Sequence, residues 1–277
     1  MLFRIIALDI DGTLTNSRKM ISSRTKSKLM MFQKNGGRIV LASGRPTQGI
    51  MPYASELRLG QFGGFIMAYN GGTVIECSTG EAVSDSRIPK SFIPSICELI
   101  KDYPVGINTY KDGKLYAGQQ INKYTIRQAR INFMPLEFDD DFAENVTFDV
   151  PKCLLQGEPQ VISELEEKLV SAFGSELGIF RSEPFLLEIV PKGIDKAKSL
   201  DGLLRRLNIP ADQSIAFGDG FNDVSMIRYA GLGIAMSNAP DAVKNAADFV
   251  TASNDEDGVA VLLSRMGRSV FPSLAML

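Results

Sequence analysis

The chain contains no histidine. That absence removes Ser-His-Asp and Cys-His arrangements and every histidine-ligated zinc or iron site. Any chemistry must use carboxylates, lysines, hydroxyls, thiols, backbone groups or a bound cofactor. Cysteine is scarce: Cys77, Cys97 and Cys153 are odd in number and widely spaced, which argues against a disulfide framework and a thiolate metal cluster and suits a reducing cytoplasm. A dominant charge sign is also lacking, since 30 Lys and Arg against 32 Asp and Glu leave a net −2. No basic footprint therefore points to nucleic acid as a partner. No apolar run approaches the roughly 18 residues of a membrane span, and the opening apolar stretch meets Asp9 and Asp11 too soon for a signal-peptide core. The expected protein is soluble and cytoplasmic, with no membrane or nucleic-acid partner, and no residue pattern specifies an oligomeric state.

What is present is an ordinary globular composition, 44% hydrophobic and 22% charged over 277 residues, long enough for two domains of roughly 100 to 200 residues each. Phe3 to Ile10 is an apolar run of strand length that stops at Asp11-Gly12-Thr13, which suits a strand buried on both faces. Ser22 to Lys34 has helical periodicity with a serine cap, and Gly36-Gly37 stops it. Arg38 to Ala42 and Phe65 to Ala68 read as further buried strands. This alternation predicts an open α/β sheet. It returns late, with a helix over Asp195 to Leu207, a strand over Ser214 to Phe217, a helix over Asn222 to Ala230, strands at Gly233 to Met236 and Phe249 to Val250, and a helix over Pro240 to Ala247.

Between the halves the texture changes. Helices are expected at Pro89 to Asp102, Lys123 to Asn132 and Pro159 to Phe173, and strands at Val105 to Tyr110, Leu115 to Gly118, Lys152 to Gln156 and Phe185 to Ile189. Lys111-Asp112-Gly113-Lys114 reads as a hairpin turn. The expected organisation is therefore a parallel-sheet core over 1–85 and 189–277, interrupted by an inserted α+β domain over 86–188. The apolar terminus Phe271 to Leu277 is expected to pack.

Asp9 and Asp11 stand at the carboxyl end of the first strand, where ligands bind in open α/β sheets. One carboxylate can be a covalent nucleophile and a neighbour a general acid or base; together they can also hold a hard cation such as magnesium, or serve only to shape a polar turn. A calcium loop is not indicated, because the closing Glu and further oxygen ligands are missing at the required offsets. Gly218-Asp219-Gly220-Phe221-Asn222-Asp223 repeats the situation later. It fails the dinucleotide pattern at Asp223, and no Walker-type phosphate loop occurs. Ser43 offers a hydroxyl, and the amides of Ser43 and Gly44 can bind an anion near a helix start; Ser43 lacks the elbow and the base that a nucleophilic serine needs. Lys192 and Lys198 read as a solvated helical face.

Taken together, Asp9-x-Asp11-Gly-Thr-Leu, Leu41-Ala-Ser43-Gly-Arg45, Lys192-Gly-x-x-Lys196 and Gly218-Asp219-Gly-x-Asn222-Asp223 closely resemble the haloacid dehalogenase superfamily, specifically its Cof-like sugar-phosphate phosphatases. The resemblance covers the whole chain. It implies a Rossmann-like core with a cap between the second and third motifs, where the composition break falls. It further implies that Asp9 attacks phosphorus to form an aspartyl-phosphate, and that Asp11 protonates the leaving alcohol and then activates water. Magnesium would be held by Asp9, the Asp11 backbone carbonyl and Asp219, with Asp223 acting through water or orienting Lys196. Ser43, Gly44, Lys196 and Asn222 would bind the phosphoryl oxygens, and Arg45 and Asn70 would support substrate or loops. The partner implied is a small phosphorylated metabolite. A phosphomutase of the same superfamily and a non-catalytic phosphometabolite-binding module are the alternatives. In the inserted domain, Asn108, Lys111 and Arg181 are polar by type and read as surface groups.

Overall fold

The computed structural model describes residues 3–267. Two compact units result, one from the residues up to Ser84 and from Asp195 onward, the other from Asp85–Ile194. The terminal stretch 271–277 lies outside the described residues. In chain order the strands are β1 (Ile5–Leu8), β2 (Arg38–Ala42), β3 (Phe65–Ala68), β4 (Thr73–Glu76) and β5 (Ala82–Asp85) before the crossing into the second unit. Within that unit lie β6 (Gly106–Lys111), β7 (Lys114–Gly118), β8 (Leu136–Phe138), β9 (Cys153–Gln156), β10 (Leu177–Glu183) and β11 (Leu186–Pro191). Back in the first come β12 (Ser214–Gly218), β13 (Leu232–Met236) and β14 (Phe249–Thr251).

The sheet of the first unit has the order β14-β13-β12-β1-β2-β3-β4-β5. The pairings from β14 through β3 are parallel, whereas β3 and β4 are antiparallel. Parallel sheets need cover on both faces, and Ile5, Ile6, Ala7 and Leu8 accordingly have no exposed surface. Burying each of the larger side chains contributes about 1.5–3 kcal/mol. Helix Ser23–Lys34 starts where the Ser22 hydroxyl accepts the Thr25 amide at 3.0 Å. The helix expected over Asn222 to Ala230 divides into a 3-10 turn, Phe221–Asp223, and a helix, Val224–Tyr229, because the Asp223 carboxylate accepts the amides of Asp219 and Gly220 and tightens the turn. Helices Thr47–Glu56 and Gly258–Met266 and the strands β4 and β5 add to the expected elements.

The second unit carries its own sheet, β10-β11-β9-β6-β7-β8, antiparallel except between β7 and β8. Asp112 and Gly113 both take positive φ, 49° and 77°, the conformation a two-residue hairpin between twisted strands requires. Ile107, Leu155, Leu187 and Ile189 pack with Ile93, Ile96 and Ile100 of helix Phe92–Ile100 and Ile162, Leu165 and Leu169 of helix Pro159–Phe173. The unit ends at Ile194 rather than 188, because β11 stays hydrogen-bonded to β10 through Pro191. Asn108 departs from expectation: it is fully buried and accepts from the Gln156 side chain, while Lys111 and Arg181 are exposed. Nearby, Lys152 and Glu188 form a buried ion pair at 3.0 Å. Among the described residues no helix is long and apolar enough to cross a membrane.

Candidate active site

The site is built at the carboxyl ends of β1, β2 and β12. Because β1 lies parallel between β2 and β12, with Leu8 opposite Leu41 and Phe217, the loops after the three strands leave the same sheet edge. The Asp9 amide still donates to Phe217 O at 3.0 Å, so Asp9 is held at the strand end while Asp11 sits in the turn. Gly12 closes that turn with φ +84°, and a Cβ there would lie 2.2 Å from Asp219 Oδ2. Glycine is required for both reasons. The contact is tightened by Thr13 Oγ1, which donates to Asp219 Oδ1 at 2.7 Å, and by Asn238 Nδ2, which donates to Gly12 O at 2.9 Å.

Lys196 opens helix Lys196–Arg206, where the Asp195 carboxylate accepts the amides of Ala197 and Lys198. Its ammonium is 1% exposed and donates to Asp9 Oδ1 at 2.8 Å and to Asp223 Oδ1 at 2.5 Å. The other oxygen of Asp223 accepts the amides of Asp219 and Gly220 at 3.0 and 2.9 Å. Asp223 thus couples the position of Lys196 to the turn that presents Asp219. One ligand oxygen from each of Asp9, Asp219 and Asp223 falls within 4.8 Å of the others.

Charge in this cluster is unbalanced. Burial, with Asp223 and Asp219 nearby, drives the Asp9 carboxyl well above the usual range, more than Lys196 offsets. Burial likewise raises Asp219 to about 6 despite the Thr13 hydrogen bond. Lys196 is pushed up, because Asp223 and Asp9 outweigh the effect of burial. Crowded carboxylates with hard oxygen donors and one buried ammonium form the donor set that a divalent cation would balance, so these residues fit the magnesium that the family resemblance implies.

Asp11 faces different partners. Arg45 Nε donates to its Oδ2 at 2.6 Å, Arg45 Nη2 to its Oδ1 at 2.8 Å, and Lys19 Nζ to Oδ1 at 2.6 Å. Burial alone would raise Asp11, but Arg45 and Lys19 hold it below the usual carboxylate range. Two neighbouring carboxyls are thereby driven in opposite directions by their different partners. The Asp11 side chain stands outside the cluster formed by Asp9, Asp219 and Asp223.

The second loop supplies Ser43, 3% exposed, whose hydroxyl accepts the Arg45 amide at 3.2 Å. Its carbonyl accepts the Asn70 amide at 2.9 Å. Asn70, left-handed at φ 56°, accepts from Asn222 Nδ2 at 2.9 Å and lies against Gly44, where a Cβ would be 3.2 Å from its amide group. The structure therefore brings Ser43, Gly44, Asn70 and Asn222 together beside the acidic cluster. Lys192 belongs to the second unit and donates to Gly174 O. Sequence reasoning missed Lys19, Tyr53 and Asn238. Asn238 and Lys19 lie in loops without periodicity, and Tyr53 belongs to a helix interrupted by Pro52.

Residues 6–263 match the haloacid dehalogenase-like hydrolase family. A putative phosphatase of Bacillus subtilis, YxeH, is 30% identical over 262 residues, which is 94% of this chain and 96% of that protein. The crystal structure of a haloacid dehalogenase-like hydrolase from Bacteroides thetaiotaomicron superposes with a TM-score of 0.91 at 43% identity, covering 95% and 99% of the two chains. A structure described as a subclass IIB sugar phosphatase gives a TM-score of 0.80 at 26% identity, covering 95% and 99%. Family match, fold and the convergence of four separated loops agree: the chain belongs to the haloacid dehalogenase-like hydrolases and, within them, to the Cof-like phosphatases.

Proposed function

We propose that this chain is a magnesium-dependent phosphomonoesterase that hydrolyses small phosphorylated metabolites, sugar phosphates in particular, through an aspartyl-phosphate on Asp9. The observation that carries the reading is the unlike treatment of two adjacent carboxylates, Asp9 buried against Lys196 and Asp11 clasped by Arg45 and Lys19. The sugar-phosphatase neighbour supports the substrate class.

In the first step Asp9 forms a bond to phosphorus as the ester P–O bond breaks; Asp11, ionised while Arg45 and Lys19 hold it, must first take up a proton, which it then passes to the leaving oxygen. In the second, water attacks the phosphorus of the acyl-phosphate, its proton passes to Asp11, and Asp9 is released with inorganic phosphate. Asp9, Asp219 and Asp223 would hold magnesium, which when bound neutralises these carboxylates and the phosphoryl oxygens. Lys196, Ser43, the Gly44 amide and Asn222 meet the remaining phosphoryl charge by positioning and hydrogen bonding, the larger part of phosphoryl-transfer catalysis.

The experiment is phosphate release from a panel of sugar phosphates and p-nitrophenyl phosphate by purified protein with magnesium, alongside Asp9→Asn. Release by the parent and none by the variant is expected. Absence of release across the panel, or full activity of the variant, would overturn the reading; transfer of label between two positions of one hexose phosphate without free phosphate would replace it with a phosphomutase.

A further inference from the structure

We infer that Asn238 and Asn254 are a positioning pair that holds the loop after β1 against Asp219 and so sets the cation site in order, an inference that rests on the magnesium site of the reading above. The sheet alone cannot do this. Its last tie between β1 and β12 is the Asp9 amide on Phe217 O at 3.0 Å, and both loops leave the ladder beyond that point. There Asp9, Asp219 and Asp223 each bring a carboxylate oxygen within 4.8 Å of the others, which like charge opposes until a cation balances it. Lys196 bonds Asp9 and Asp223 and leaves Asp219 to other groups. Gly12, at φ +84°, has no side chain to restrict its peptide. Whatever keeps the two loops together must come from side chains elsewhere.

Asn238 supplies the tie. Its Nδ2 donates to Gly12 O at 2.9 Å and reaches Asp219 Oδ2 at 3.4 Å, so one amide touches both loops. Its Oδ1 accepts the Asn254 amide at 3.1 Å, and Asn254 Nδ2 in turn donates to Thr15 O at 2.9 Å. Only the nitrogen can donate to two oxygens and only the oxygen can accept an N–H, so the Asn238 amide has a single orientation. The relay thus grips one loop at two points, Gly12 and Thr15. Asp255 fastens the same segment a third time, accepting the Ser17 amide and hydroxyl at 2.8 and 2.5 Å.

Asn238 is exposed, and a surface hydrogen bond adds little to stability by itself. What makes it directional is the backbone on which it stands. It follows β13, the Ala239 amide turns back onto Met236 O at 3.0 Å, and the Ala239 side chain is buried with Ile227, Ala235 and Val243. Asn254 opens the 3-10 turn Asn254–Glu256, which the Ser253 amide and hydroxyl close by donating to Glu256. The pair therefore stands on anchored backbone, whereas the loop it holds turns on a glycine. Groups that orient metal ligands without touching the metal change metal affinity by about 10–100-fold, because a cation entering a loosened site must also draw its ligands together. Loss of cation affinity, rather than loss of fold, is the signature of such a role.

The test is calorimetric titration of the full chain, first stripped of metal, with magnesium at pH 7.5, alongside thermal melts of the same samples in chelator. It compares the parent, Asn238→Ala, Asn254→Ala and the double variant. Each single change is expected to raise the magnesium dissociation constant about tenfold or more. The double variant should raise it by less than the product of the two factors, since both residues belong to one relay. Should Asn238→Ala fail to fold, Asn254→Ala, which contacts none of the three clustered carboxylates, carries the test alone. A lower melting temperature in chelator with an unchanged dissociation constant would make the pair structural only and overturn the inference, and fully multiplicative effects would overturn the relay. If the parent itself binds no magnesium, the metal site of the proposed function fails and the inference falls with it; tight binding by the parent and by both single variants sinks the inference alone.

Discussion

Replacing Asp219 by Asn separates the cost of the acidic cluster from its use. Burial raises the Asp219 carboxyl from its ordinary 3.8 to about 6, so the native state binds this proton more tightly than the unfolded chain does. A raised carboxyl contributes stability that is complete below about pH 4 and lost as pH rises through about 6. At about 1.4 kcal/mol per pKa unit, ionising Asp219 at pH 7.5 costs the metal-free protein roughly 2–3 kcal/mol. Asn keeps the oxygen that accepts from Thr13 at 2.7 Å and removes the charge; it gives up only the long contact from Asn238 at 3.4 Å. Metal-free Asp219→Asn should therefore melt roughly 4–10 °C above the parent at pH 7.5, and the difference should shrink towards zero near pH 4.5. Magnesium should close this gap. At about a hundred times its dissociation constant it stabilises the parent by about 2.7 kcal/mol, and the variant far less. Thermal melts in chelator and in magnesium at the two pH values read all of this. A metal-free variant less stable than the parent at pH 7.5, or equal magnesium shifts in both proteins, would refute the reasoning.

Lys196→Met should strand Asp9 and Asp223 without their ammonium, costing about 3–5 kcal/mol and at least about a hundredfold in phosphate release; denaturant unfolding of Lys196→Met against the Lys196→Met, Asp223→Asn double variant should show part of the stability return. Gly12→Ala combines φ +84° with a Cβ 2.2 Å from Asp219 Oδ2, so it should lower stability by about 2 kcal/mol or more and weaken magnesium-induced stabilisation, both read by thermal melts. In the second unit, Lys152→Met should destabilise by about 3–5 kcal/mol, and adding Glu188→Leu should restore most of it; chemical denaturation of the two variants checks the pair.

The strands that carry the site were legible because each is an apolar run cut off by charged or glycine-rich loop chemistry. Arg38–Ala42 and Phe65–Ala68 fall where the run predicts, and Ser22 caps the helix it should. The harder elements share a physical reason. β10 is half-exposed along most of its length and β8 spans Leu136–Phe138 alone, so neither offers an apolar run or a clean alternation. Helix Thr47–Glu56 has Pro52 in its interior, which reads as a break until the rest of the helix is seen.

Site residues divide along the same line. Asp9, Asp11, Asp219, Asp223, Ser43 and Lys196 stand at strand ends or a helix start, where sequence pattern and chemistry coincide. Arg45 and Asn70 were visible as types, yet their partners, Asp11 and Asn222, follow only from how adjacent loops meet. Lys19 was hidden more completely, since an exposed lysine in a loop carries no signal until its left-handed backbone and its contact at 2.6 Å are known. The buried polar row of Asn108, Gln156, Lys152 and Glu188 makes the complementary point: strand periodicity says which residues share a face, but not whether that face is covered. Charged and amide groups are held in a covered face only when they find one another. What a single chain states plainly is therefore where its backbone runs and stops. Which side chains meet across loops is set by sheet order, and there the positioning of Asp11, unlike its presence, is decided.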